Sequence, residues 1–80
     1  NAEIKAEWFV KAIENNYHAA RPYMAEFLTE VGRRKFLEPI YQALADQSAD
    51  DMNFAKDVYE NARVNYHAVS YQTIDEILGM

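Results

Sequence analysis

The sequence predicts an all-α fold of five helices, packed as antiparallel neighbours in a single helical domain over residues 1–80. Three observations carry this expectation. Apolar residues recur with a helical period in every segment, and no stretch has the β-branched runs of a strand. Glycine and proline, which interrupt helices, number only two each. The stretches left between the periodic segments are short, and short connections favour antiparallel neighbours.

Helix 1 is expected at about 2–15. Ile4, Trp8, Phe9, Val10, Ala12 and Ile13 cover well over half its circumference, leaving a narrow polar arc of Glu3, Glu7, Lys11 and Glu14. A helix this apolar expects neighbours on two sides. Asn15-Asn16 is a suitable stop, because Asn tolerates the left-handed conformation that ends helices. Helix 2, at about 18–31, presents Ala20, Met24, Phe27, Leu28 and Val31, with Pro22 in its first turns and Gly32 as its end. Helix 3, at about 34–47, faces Phe36, Leu37, Ile40, Tyr41 and Leu44 inward. Pro39 lacks a backbone donor, so Arg33 to Leu37 is expected as a separate tight turn. Helix 4, at about 49–65, opens on Ser48 with Asp51 three residues on, the spacing of a capping box. Its stripe is Met52, Ala55, Val58, Tyr59 and Ala62. Helix 5, at about 70–78, has Ser70 near its cap, Ile74, Ile77 and Leu78 inward, and Gly79 as its close.

Composition excludes several classes. Half the residues are apolar and 14% are aromatic, enough for a core and too much for a disordered chain. A chain this short still buries only about 60% of the surface it exposes when unfolded. No apolar run is long enough to span a bilayer, and no signal-peptide pattern is present. The absence of cysteine removes disulfides and thiolate metal sites and fits a cytoplasmic setting. A net charge of -5 disfavours non-specific nucleic-acid binding. The chain begins at Asn1 rather than a methionine, which reads as processing or excision from something longer.

Against that acidic background, Gly32-Arg33-Arg34-Lys35-Phe36 gathers three of the eight basic residues at a helix start. The helix dipole favours negative charge there, so the cluster reads as a site awaiting an anion. Arginine offers a planar fork that matches a carboxylate with two hydrogen bonds, and lysine adds a flexible point charge. The plainer reading is a solvated basic turn pairing with Glu30 or Glu38.

The residues also resemble a known family. Asn1-Ala2-Glu3-Ile4-Lys5 with Trp8, then Phe27-Leu28, Gly32-Arg33-Arg34-Lys35-Phe36, Pro39-Ile40-Tyr41 and Tyr66-His67 look like the end of a leukotriene A(4) hydrolase-type zinc aminopeptidase. The resemblance implies an α-α superhelix, an armadillo/HEAT-like stack of antiparallel helices in two layers. It also implies that this chain is the second half of a longer C-terminal domain in a multidomain enzyme. Zinc, on an H-E-x-x-H helix, would belong to a preceding catalytic domain, with no cofactor in this segment. By the same resemblance Arg33 reaches the cleft and binds the free carboxylate of a peptide substrate, assisted by Lys35. Arg34 stands where an uncharged residue is frequent, and Ala68 follows His67 where proline is common.

The implied role is to wall the cleft and anchor the substrate's far end, without chemistry of its own. Its partners would be the catalytic domain of the same polypeptide and the peptide, with no nucleic acid and no membrane. The alternative is a helical protein–protein interaction module, with the all-round apolar helix 1 serving a partner helix. Exposed apolar surface on helix 1 would also permit self-association. His18 and His67 show no metal-ligand spacing, and Asp50-Asp51 and Asp75-Glu76 lie at a helix start and on a polar face, where catalysis is not expected. Trp8, Phe9, Phe27 and Phe36 read as core rather than as a ligand pocket.

Overall fold

A computed structural model describes all residues from Asn1 to Met80. Five α-helices form: α1 (Ala2–Glu14), α2 (Arg21–Glu30), α3 (Arg34–Gln47), α4 (Ala49–Ala62) and α5 (Ala68–Leu78). There is no strand. Single 3₁₀ turns at His18–Ala20 and Arg63–Asn65 precede α2 and follow α4, so the longer spans expected there each divide into an α-helix and a tighter turn.

The ends follow local chemistry. The Asn1 side chain accepts from the backbone N–H of Glu3 at 2.9 Å and of Ile4 at 3.2 Å, capping α1. The helix stops at the Asn pair, with Asn16 in the left-handed region at φ 56. Pro22 lies in the first turn of α2, where its missing donor has no partner to lose. The Ser48 hydroxyl accepts from the Asp51 N–H at 3.1 Å and donates to the Asp51 carboxylate at 2.9 Å, which caps α4. Gly79, at φ 69, closes α5.

Three local expectations are corrected. Pro39 does not split off a turn; it lies inside a continuous α3. The one bond it forgoes would reach back to the Lys35 carbonyl in the first turn, and the buried stripe beyond it holds the helix together. Gly32 does not end α2: the chain leaves the helix at Val31, which is extended at φ -93 and ψ 118. Ser70 does not cap α5. That helix starts two residues earlier, with His67 at its cap and Ala68 in the first position, one that also suits proline.

Gly32 is therefore not required by its backbone. The glycine at positive φ is Gly79, and a Cβ added at Gly32 would meet nothing nearer than the Asn65 carbonyl oxygen at 3.8 Å. Gly32→Ala is expected to change stability by less than about 0.5 kcal/mol, as measured by urea denaturation.

Packing places α3 at the centre. It lies against α1, α4 and α5, while α2 lies against α4. The helices thus sort into a layer of α1, α3 and α5 and a layer of α2 and α4, within 31 × 29 × 17 Å. The short dimension is what two stacked helices require. Leu37, Ile40, Tyr41 and Leu44 of α3 are wholly buried in one apolar cluster with Leu28, Tyr59 and Ile74. The broad apolar coat of α1 divides. Ala6, Phe9, Ala12 and Ile13 enter the core, whereas Ile4 and Trp8 stay 66% and 48% exposed. Phe9 meets Phe27 of α2 at 5.3 Å between ring centres.

Two arginines staple the helices. Arg21 bonds Asp50 at 2.9 Å and buried Asp51 at 2.7 Å, and lies over the Phe54 ring, joining α2 to the start of α4. Arg63 bonds Asp75 at 3.1 Å, and the Tyr59 hydroxyl also reaches that carboxylate, joining the end of α4 to α5. Three of the four carboxylates paired in the sequence, Asp50, Asp51 and Asp75, thus hold helices together, while Glu76 stays exposed. The Arg63 guanidinium, then the Tyr59 hydroxyl, hold the Asp75 carboxyl below its ordinary value of 3.8. The unfolded chain takes up this proton more readily, so the stabilisation is complete above the ordinary value and is lost as pH falls below it. Asp75→Asn is expected to flatten the acid limb of the pH–stability profile; an unchanged limb would contradict the assignment.

Candidate functional site

The basic cluster lies where one layer hands the chain to the other, between α2 and α3. Val31 takes the chain out of α2 in an extended conformation, and Arg33, also extended, becomes the N-cap of α3. Its carbonyl accepts from the N–H groups of Phe36 at 3.0 Å and Leu37 at 3.1 Å. Its side chain has no acceptor with which to cap the helix, and the first turn holds no acidic residue. The positive end of the helix dipole is therefore left beside positive side chains.

Arg33, Arg34 and Lys35 are all exposed, but they are not equivalent. The Lys35 ammonium is 2.7 Å from the Glu3 carboxylate of α1. That hydrogen bond and charge hold the Glu3 carboxyl below its usual value. Lys35 also lies over the Phe36 ring, 5.4 Å from its centre. Arg33 and Arg34 take part in none of the molecule's ion pairs or side-chain hydrogen bonds. The solvated-turn reading expected Glu30 or Glu38 as partners; the partner found is Glu3, and it takes Lys35 alone. An open groove of about 560 Å³ runs between α1 and α3, with Glu3, Ala6, Val10, Lys35, Phe36 and Pro39 in its lining.

The junction is held from behind by the corner between α4 and α5. The Tyr66 hydroxyl donates to the Leu28 carbonyl in the last turns of α2. Tyr66 has one hydroxyl proton, so in the 3.0 Å contact between Tyr41 and Tyr66 it is Tyr41 that donates. Burial pushes the Tyr41 hydroxyl far above its normal range and the Tyr66 hydroxyl up to about 12, so both remain donors at neutral pH. The buried Ser70 hydroxyl donates to the Gly32 carbonyl at 3.0 Å.

The sequence reading placed Arg33 and Lys35 between the second and third helices but missed three residues that shape this junction. Glu3 read as one acid among several on the polar arc of α1, and nothing in its local spacing points to a partner on α3. Ser70 read as a residue near the cap of the last helix, and nothing in its spacing points to the Gly32 carbonyl. The reach of Tyr66 to Leu28 spans 38 positions, beyond any local pattern. Neither His18 nor His67 joins a group of three or more side chains that could hold a metal ion.

The helical fold matches a known kind of domain. Residues 1–78 match the family model described as "Leukotriene A4 hydrolase, C-terminal", and the chain belongs to that family. Leucine aminopeptidase 2 of Neurospora crassa is 32% identical over 80 residues, covering 100% of this chain and 12% of that protein. Leucine aminopeptidase 2 of Yarrowia lipolytica is 32% identical over 78 residues, covering 98% of this chain and 12% of that protein. Aminopeptidase B of Mus musculus is 26% identical over 79 residues, again covering 99% of this chain and 12% of that protein. The chain thus spans about an eighth of the length of these relatives. No solved structure matches it at a significant level.

Proposed function

We propose that this chain is the substrate-anchoring part of a zinc aminopeptidase, and that Arg33 binds the C-terminal carboxylate of a short peptide. The supporting observation is the exposed, unpaired Arg33 at a helix N-terminus, beside a lysine already neutralised by Glu3. A free guanidinium in an acidic chain keeps its full affinity for a carboxylate, because no intramolecular acid competes for it. The aminopeptidase names of the relatives support the class of reaction.

In this reading the domain walls one side of the cleft and fixes the far end of the peptide. That aligns the scissile bond at the other end. Lys35 adds a screened charge next to the anchor, and Arg34 adds little. The family implies zinc, which would polarise the scissile carbonyl and activate water. The residues here do not fit a metal: no group of three potential ligands comes together. In this reading zinc would be held by the preceding catalytic domain that the resemblance implies, and the role of this segment runs chiefly through Arg33.

The alternative, a helical interaction module docking a partner on α1, draws on the exposure of Ile4 and Trp8. The two readings separate on substrate chemistry. The full-length protein is tested for release of N-terminal residues from tripeptides bearing a free or an amidated C-terminus. The anchor reading expects turnover with a strong preference for the free acid. No peptidase activity, or equal rates on both substrates, would overturn it.

A further inference from the structure

We infer that Ser70 is a positioning residue for Arg33, acting through the peptide unit that joins Gly32 to Arg33. The inference rests on the anchor reading of Arg33 and adds the group that sets its direction. The Ser70 hydroxyl donates to the Gly32 carbonyl at 3.0 Å. That carbonyl and the Arg33 N–H belong to one rigid plane. The Arg33 N–H makes no backbone hydrogen bond, and neither does the Gly32 N–H. The Ser70 contact is thus the one hydrogen bond to the plane from which the Arg33 side chain departs.

The surrounding structure makes this contact a fixed reference. Ser70 is 4% exposed, and its own N–H is held by the His67 carbonyl at 2.9 Å in the first turn of α5. Its hydroxyl caps nothing in its own helix. Gly32, by contrast, has no side chain to pack and the widest backbone freedom of any residue. The last tie before it is the Val31 N–H on the Phe27 carbonyl at 2.9 Å, at the end of α2. Between Val31 and the first helical bond of α3, the one hydrogen bond that orients the chain therefore comes from α5, through the Ser70 hydroxyl. A small rotation of the Gly32–Arg33 plane moves a long guanidinium far more than it moves the backbone. Anchoring of a reactant is sensitive to such displacement, where about 1 Å can cost up to roughly 100-fold.

The test is kcat/KM for a free-acid tripeptide divided by that for its C-terminal amide, in the full-length protein. Taking this ratio cancels losses from reduced folding, which a merely structural serine would cause equally for both substrates. Ser70→Ala is expected to lower the ratio by about 3- to 10-fold, mainly through KM, as for loss of one oriented hydrogen bond. Ser70→Thr, which retains the hydroxyl, is expected to keep most of it. Where Ser70→Ala does not fold, Ser70→Cys, with nearly the same volume and a weak donor, reads the same effect. A ratio unchanged in Ser70→Ala or Ser70→Cys, while Arg33→Ala collapses it, overturns the role of Ser70 and leaves the anchor standing. A ratio that Arg33→Ala also leaves unchanged overturns the anchor, and the inference falls with it.

Discussion

Leu37→Ala is expected to destabilise the chain by about 2–5 kcal/mol, the range for removing a wholly buried leucine from a packed core. Leu37 is 0% exposed and lies on α3, the helix that contacts both layers. The hole it leaves cannot close easily, because Ile40, Tyr41 and Leu44 on the same stripe are each 0% exposed and held by neighbours on several sides. A domain of 80 residues has a total stability of only about 4–12 kcal/mol at ~0.05–0.15 kcal/mol per residue. The substitution therefore removes a large fraction of it. Urea denaturation should show a markedly lower midpoint with an unchanged slope. A loss under about 1 kcal/mol would contradict the central place given to α3.

Arg33→Ala in the full-length protein is expected to lower kcat/KM for free-acid tripeptides by about 10- to 100-fold. Hydrogen bonds to a charged group contribute about 1.5–3 kcal/mol, and the paired fork of a guanidinium on a carboxylate stands toward the upper part of that range. The loss grows if the anchor also sets the position of the scissile bond, since kcat then falls with it. Lys35→Ala should cost less. Its ammonium already faces Glu3 at 2.7 Å, and it cannot offer bidentate geometry. Arg34→Ala should have little effect. Steady-state kinetics of the three variants give this ranking directly, and a larger loss for Arg34 or Lys35 than for Arg33 would contradict it.

Much of the fold was legible in the sequence because each helix carries its own signals. The inward stripe of α3 was read as Phe36, Leu37, Ile40, Tyr41 and Leu44, and all five are buried. The Ser48–Asp51 cap and the stop at Asn15-Asn16 rest on local backbone chemistry, so short-range spacing suffices to find them. The misreadings share one cause. Gly32, Ser70 and Pro39 were each assigned the role their residue type plays most often, whereas tertiary packing sets their role here. Gly32 offers a carbonyl to α5 rather than a helix end, and Ser70 gives its hydroxyl to that carbonyl rather than to its own helix. Pro39 is carried through by the buried stripe around it.

The site was legible to a different degree. The positive cluster stands out from the charge pattern alone, because three cations together in an acidic chain call for an explanation. Which cation is free was not legible. That depends on Glu3, separated from Lys35 in sequence and brought to it only when α1 packs on α3. Once that pair forms, Arg33 and Arg34 are left as the unpaired charges, and the N-cap position distinguishes Arg33 from its neighbour.

The most direct test of the anchor is a cycle that removes the two partners separately and together. It measures kcat/KM for wild type and Arg33→Ala on a tripeptide with a free C-terminus and on the same peptide amidated. The account predicts that either change alone costs about 10- to 100-fold and that the second change adds little once the first is made, a coupling of about 1.5–3 kcal/mol. Losses that simply add, with the wild-type preference for the free acid preserved in Arg33→Ala, would contradict a carboxylate anchor at Arg33.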